Sequence, residues 1–375
     1  MKKASLFISI IIFIISCFIA YDVINRKEEI HFIPTIKEID DGVKSIKFKV
    51  DTFYLAIGES EKLNYDIESS KDDYKLTWSS ENEDIVSISD GKIVGVNLGT
   101  SVVTLKSESG KKAEVSVTVT DLIRKPELDD KKKFLPCHAY TEEEAHIIDE
   151  ALRTRVLNKG EGTRAALIET IRFMTLSFKY KVSYFYENGR MHESGVRKAD
   201  GEGRYYHKGL YLSEDKFKDI KVSHKGPAIW GCPLTNLQDH NRYKPGAKMP
   251  NGLDCSGFVT WSLYNSGLDV GDIGAGINDR HKDMSDVGEM HSLTYEYANS
   301  GDYKVGDVIA RWGHTALIAG KDSEYLYIAE SLLKGVRIEK VSYKNPNSSL
   351  YKYYAYINKM DKEYSKNDDY TDMWE

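Results

Sequence analysis

Between residues 45 and 121 apolar and polar positions alternate with a period of two, in the runs SIKFKV, KLTW, IVSIS, KIVGV, SVVTL and AEVSVTV. Turn-forming groups separate the runs: Ile57-Gly58-Glu59, Ser79 to Asn82, Asp90-Gly91, Leu98-Gly99-Thr100 and Ser109-Gly110-Lys111. Side chains of a strand point to alternate faces, so short period-two runs between turn signals predict an all-β sandwich over 45–121. The period then changes. Residues 122–136 are dense in charge and contain Pro126, the pattern of an exposed linker between domains. Thr141 and Glu144 have the spacing of a capping box, and Ile147, Ile148, Ala151, Leu152 and Val156 follow at helical intervals. Gly160-Glu161-Gly162 breaks that helix. Thr163 opens a second one carrying Ala166, Ile168, Ile171, Met174 and Leu176.

Residues 180–250 show no regular period and are rich in Tyr, Gly, Lys and His. So long a connection suits either a groove for an extended or glycan-bearing ligand or an ordered surface insertion. A helical run follows, with Phe258, Val259, Trp261, Leu263 and Tyr264. Three strands then read off around Val308, Leu317 and Ile328, the second turning into the third at Lys321-Asp322-Ser323-Glu324. The tail, 361–375, is polar and predicted to be disordered.

At the other end, an uncharged run over residues 4–21 lies between Lys2-Lys3 and Asp22. It sits at the short end of what a helix needs to cross a bilayer, so 1–25 reads as a signal anchor, with the rest of the chain outside the cytoplasm. Two other readings stay open: Ile14-Ile15-Ser16-Cys17 as a lipoprotein cleavage box with Cys17 lipidated, or a cleaved secretion signal.

Composition narrows the function. With 41% hydrophobic and 29% charged residues the chain is too apolar for disorder and too charged for a multi-span membrane protein. A net charge of −6 argues against nucleic-acid partners. No HExxH spacing occurs, and Glu142 to Glu144 with His146 is explained by a capped, solvated first turn, so neither metal nor cofactor is expected. Four Cys in 375 residues do not make a disulfide scaffold, and each needs its own account. Cys17 lies in the apolar run. Cys137 and Cys232 are candidates for a disulfide, with Cys232 as a thiol near the groove the alternative. Cys255 remains. It stands where the turn Asn251-Gly252-Leu253-Asp254 hands over to the apolar helix, and a thiol in a first helical turn sees the positive end of the dipole, which favours the nucleophilic thiolate. Gly313-His314 begins a later strand, so Cys255 and His314 form a candidate thiolate–imidazole pair. No His follows His314. Leu326, Ile328 and Glu330 share one face of the next strand, and Glu330 is the strong acceptor there to orient the imidazole, with Ser331 on the other face second.

Two resemblances attach to these residues. LAIGESEKL, LTWSSENEDIVSI, GKIVGVNLGTSVVTL and VSVTV resemble the bacterial Ig-like domain of group 2, which implies a spacer or adhesion module with Trp78 between its sheets and turns or bulges at Gly91, Gly95 and Gly99. DCSGFV, then GDVI, then GHTALIAG resemble the NlpC/P60 family of cell-wall cysteine peptidases. That resemblance implies a papain-like α+β domain over 137–360, a peptidoglycan substrate, and hydrolysis of stem peptides, often after D-γ-glutamate. It also implies Cys255 as nucleophile, His314 as base and acid, Asp254 and Ser256 on the substrate amine, and an aromatic in the groove, Tyr184 or Trp230. The family commonly has His as its third residue, where this chain offers Glu330. The alternatives are an N-acetylmuramoyl-L-alanine amidase and a non-catalytic wall-binding or adhesion protein. The oligomeric state has no signature in the sequence.

Overall fold

A computed structural model describes residues 21, 40–129, 131–185, 220–222, 230–236, 244–249, 251–268, 270 and 287–365. The sandwich has nine strands, β1 (Val43–Phe48), β2 (Thr52–Leu55), β3 (Ser60–Glu61), β4 (Tyr65–Ser69), β5 (Leu76–Ser80), β6 (Val86–Ser89), β7 (Lys92–Gly95), β8 (Gly99–Ser107) and β9 (Lys112–Val119); the six alternating runs fall on β1 and β5 to β9, and β2 to β4 lie between the first run and the second. They pair as a four-stranded sheet β2-β9-β8-β5, a three-stranded sheet β3-β7-β6 and the ribbon β1-β4, all antiparallel except β2 with β9. Phe53, Leu55, Leu63, Val86, Ile93, Val103, Leu105, Val115 and Val117 fill the space between them. Trp78 is not at the centre: it is half-buried, in an aromatic group with Phe48 and Tyr65, ring centroids 5.6 and 6.0 Å away. Gly95 has a packing reason, since a Cβ there would collide with the carbonyl of Ala56.

The segment expected to be an exposed linker is instead pinned down. Ile123 and Leu135 are buried. Arg124 Nε donates to the Leu176 carbonyl (2.8 Å), and Lys132 Nζ donates to the carbonyls of Thr175 (2.8 Å) and Phe178 (2.9 Å). Its basic residues satisfy a turn whose carbonyls have no intrahelical partners, which composition alone does not reveal. Burial and the neighbouring Arg124 and Lys181 charges bring Lys132 down to about 7.

Next come α1 (Glu142–Lys159) and α2 (Arg164–Arg172), the latter running on into one π-helical turn, Phe173–Ser177. The capping box closes: Thr141 N donates to Glu144 Oε2 (2.8 Å) and Glu144 N to Thr141 Oγ1 (3.2 Å). These helices carry an ionic cluster that seals them to the sandwich. Arg155 grips Glu59 with both terminal nitrogens (2.9 and 2.8 Å) and reaches Glu169 (3.4 Å). Arg172 contacts Glu61 (2.5 Å) and Glu169 (3.3 Å), and Lys159 lies 3.5 Å from Glu61. Beside it Asn64 donates twice to Asn158, from its amide N to Oδ1 (2.8 Å) and from Nδ2 to the carbonyl (2.7 Å). The two Arg and three Glu are nearly inaccessible to solvent.

Beyond a small sheet of β10 (Ile220–Val222), β11 (Leu234–Asn236) and β12 (Lys248–Met249), α3 (Cys255–Asn265) begins. The remaining elements are β13 (Glu289–Ser292), α4 (Tyr295–Ser300), β14 (Val308–Arg311), β15 (His314–Lys321), β16 (Tyr325–Leu332), β17 (Gly335–Ser342), α5 (Ser349–Tyr353) and β18 (Tyr356–Lys359). Their strands form one antiparallel sheet, β13-β18-β14-β15-β16-β17, with α3 packed on β15 and β16. Those two strands are buried along nearly their whole length and read as continuous apolar runs.

The chain does not fray at residue 360 as expected. Arg164 Nη2 bridges Asp307 (2.9 Å) and Asp361 (2.8 Å), and buried Tyr364 donates to the Gly306 carbonyl (2.6 Å). Residues 361–365 therefore belong to the fold, and the rest of the predicted tail lies outside the described residues. So does the apolar run 4–21, apart from Tyr21, together with Cys17 and most of the aperiodic stretch 180–250. Among the described residues no helix is long and apolar enough to cross a membrane.

Candidate active site

Asp254 caps α3: its Oδ1 accepts from Gly257 N (2.6 Å) and lies 3.3 Å from Ser256 Oγ. An Asp at this position satisfies an amide that the helix leaves open, so Cys255 becomes the first helical residue. Cys255 is buried and is the described cysteine outside the Cys137–Cys232 disulfide. Two residues earlier, the Leu253 carbonyl accepts from Ser331 Oγ (2.7 Å), and Leu253 N donates to the Ser183 carbonyl (3.0 Å). Gly252 is required there, since any side chain would strike that same carbonyl. The start of α3 is thus fastened to the end of β16.

His314 is the first residue of β15. The pairing of Leu317 with Ala329 brings the start of β15 to the end of β16, where Glu330 and Ser331 lie. His314 Nε2 is 2.8 Å from Glu330 Oε2, both side chains being buried. An ionised carboxylate only accepts, so Nε2 carries the hydrogen and Nδ1 is left as the basic nitrogen. Ser331 is turned to Leu253 instead. Glu330 has further partners: Tyr354 donates to Oε2 (2.9 Å), while Arg337 Nε and Nη2 donate to Oε1 (3.0 and 2.7 Å). Burial opposes the Glu330 charge, but the bonds from His314, Arg337 and Tyr354 outweigh it and hold the carboxyl below its ordinary range. Burial and the Glu330 charge push the Tyr354 hydroxyl well up, so it remains a donor. Tyr353, 5.5 Å from the His314 ring, and Arg311, 4.1 Å over Tyr353, complete the wall.

The remaining expected site residues divide. Tyr184 is half-buried in the strand-like segment that holds Leu253, close to the start of α3. Trp230 does not line a groove: it is fully buried against Trp261, centroids 5.5 Å apart, beneath the helix. Asp307 of GDVI serves the fold, accepting from Arg164 and the Met360 and Lys304 amides. Arg337 and Tyr354 are not among the residues that the sequence motifs point to. Arg337 had a signal, because a two-residue turn at Leu333-Lys334 puts it opposite Glu330, as the pairing has it. Tyr354 had none. Cys137, His138 and Cys232 lie close enough together to share a metal ion, but the disulfide takes both thiolates.

No family model matches the chain, and no curated protein does. Among solved structures, domains 4 and 5 of the S-layer protein SbsC match 21% of this chain and 52% of theirs, at 20% identity and a TM-score of 0.19. Domains 4–9 of the same protein match 27% of this chain and 18% of theirs, at 18% identity and a TM-score of 0.19. An intimin mutant of EHEC O157:H7 matches 30% of this chain and 64% of its own, at 14% identity and a TM-score of 0.17.

Proposed function

We propose that the chain is an extracytoplasmic cysteine peptidase that hydrolyses peptidoglycan stem peptides, with a papain-like catalytic domain and a group 2 Ig-like domain before it. The observation that carries this reading is the His314–Glu330 pair at 2.8 Å, at the end of the sheet to which Leu253 and the start of α3 are fastened. In this reading Glu330 fixes the imidazole through Nε2–H and Nδ1 takes the Cys255 proton. The thiolate attacks the peptide carbonyl, and the imidazolium returns the proton to the departing amine. Water, deprotonated by the same nitrogen, then hydrolyses the thioester. In the same reading Tyr184 flanks the substrate. Residues 1–25 act as the membrane tether, and the chain works on the bacterial surface.

The test is purified murein incubated with the chain, the soluble fragments being read by mass spectrometry. Peptides released by the native chain and absent with Cys255→Ala and with His314→Ala are the expected result. Release undiminished in Cys255→Ala overturns the mechanism. Fragments that begin at the diamino acid identify an endopeptidase. Intact stems with a new amino terminus on L-alanine would identify an amidase, and murein retained without cleavage by either form would identify a binding protein.

A further inference from the structure

We propose that Arg337 is a positioning residue that cancels the charge of Glu330 toward His314 and so keeps the imidazole available as a neutral base. The inference rests on the reading of His314 as the base for Cys255. Glu330 divides its carboxylate: Oε1 takes both donors of the Arg337 fork, and Oε2 takes His314 Nε2 and the Tyr354 hydroxyl. A carboxylate alone against a buried imidazole favours the imidazolium, which has no lone pair at Nδ1 for a thiol proton. A guanidinium locked on the far oxygen removes most of that preference while leaving the acceptor in place. The couple then orients the ring as a neutral amide would, with the rigidity of a charged pair.

Other groups face the same ring or its partner. Tyr353 lies beside the imidazole from α5, and Tyr354 follows it. Arg311 at the end of β14 reaches it through the Tyr353 ring. On β17, Glu339 accepts from Arg337 Nη2 (2.8 Å) and is partly exposed. Cys255 and Asp254 lie at the start of α3. Among the described residues, Arg337 is the Lys or Arg bonded to Glu330.

The experiment follows the His314 imidazole by NMR through a pH titration in the full chain carrying Cys255→Ala, so that no catalysis is needed. Arg337→Gln keeps a donor for Oε1 but removes the charge, and its imidazole midpoint is expected to rise by about 1 unit, the low end for a unit charge at this separation. Glu330→Gln is expected to lower the midpoint, and the double variant to return it to the value of the parent chain. Arg337→Lys restores the charge and the midpoint without the fork. In the chain with Cys255 intact, the acid limb of kcat/KM moves upward with Arg337→Gln, and kcat falls with Arg337→Lys while the limb stays. A midpoint in Arg337→Gln equal to that of its parent overturns the proposal. So does a double variant that fails to compensate. If Arg337→Gln does not fold, the Arg337→Lys and Glu330→Gln titrations decide alone: a Lys variant whose midpoint moves as far as the Glu330→Gln one overturns it. Loss of murein cleavage with the titration results intact would instead remove the peptidase reading.

Discussion

Two of the buried clusters of acids and bases among the described residues are built to opposite ends. Between the sandwich and α1–α2, Arg155, Lys159 and Arg172 meet Glu59, Glu61 and Glu169, three cations with three anions. Each guanidinium serves at least two carboxylates, and Glu169, which burial alone would push up, is drawn down to about 2 by Arg172, Lys159 and Arg155. At the sheet end, Glu330 has among the described residues one permanent cation, Arg337, and beside it an imidazole. Arg337 is itself a quarter exposed. The first cluster has every charge fixed and locks two layers. The second contains a partner whose charge changes on binding a proton. Similar chemistry, differing in one titratable member, separates a weld from the proposed reaction centre.

The strongest way to break the contrast is Arg155→Met. It leaves Glu59 buried without a counter-ion, and urea unfolding is expected to report a loss of about 3–5 kcal/mol. Murein cleavage per folded molecule should remain, because the substitution lies away from the site. Acid acts on the same cluster. The contribution of Glu169 is complete above about pH 4.5 and is lost as the pH falls toward about 2, since its folded value lies below its ordinary one. Stability measured across that window should fall by about 3 kcal/mol from this group. Replacing both Cys137 and Cys232 by Ser opens a loop of 95 residues and should lower stability by about 2–5 kcal/mol. Asp254→Ala removes one cap, about 1 kcal/mol, but also loosens the first turn around Cys255, so cleavage should fall further than stability. Trp312→Ala sets the floor: its side chain is exposed in the turn before His314, and unfolding should shift by less than about 0.5 kcal/mol.

Local features were the legible ones. The helix start at Thr141 is a four-residue pattern, and the turn before Cys255 together with the apolar run after it marks α3. Strand parity separated Glu330 from Ser331, and the two do part company, one to His314 and the other to Leu253. Long-range partnerships left no such mark. Glu59 and Glu61 sit in a turn-like stretch nearly a hundred positions from Arg155 and look like ordinary surface charges. Residues 122–136 have a linker's composition because charge density does not say what the charges bind. Trp230 stands among glycines and a proline, a setting that suits a groove, yet it fills the core under Trp261, a partnership that its own local composition does not encode. Alternation marks six of the nine sandwich strands and leaves β2 to β4 unmarked, and the off-centre seat of Trp78 depends on Phe48 and Tyr65.

The β16–β17 turn has a consequence for how this chain tolerates editing. Leu332 pairs with Gly335, so only Leu333 and Lys334 lie outside the ladder, and Leu333 is among the most exposed apolar residues. Those two positions are open to substitution. Their number is not: one inserted residue would slip the register and send the Arg337 side chain to the opposite face, away from Glu330. A library that varies the composition of this turn should stay populated with working variants, while one that varies its length by a single residue should be empty of them.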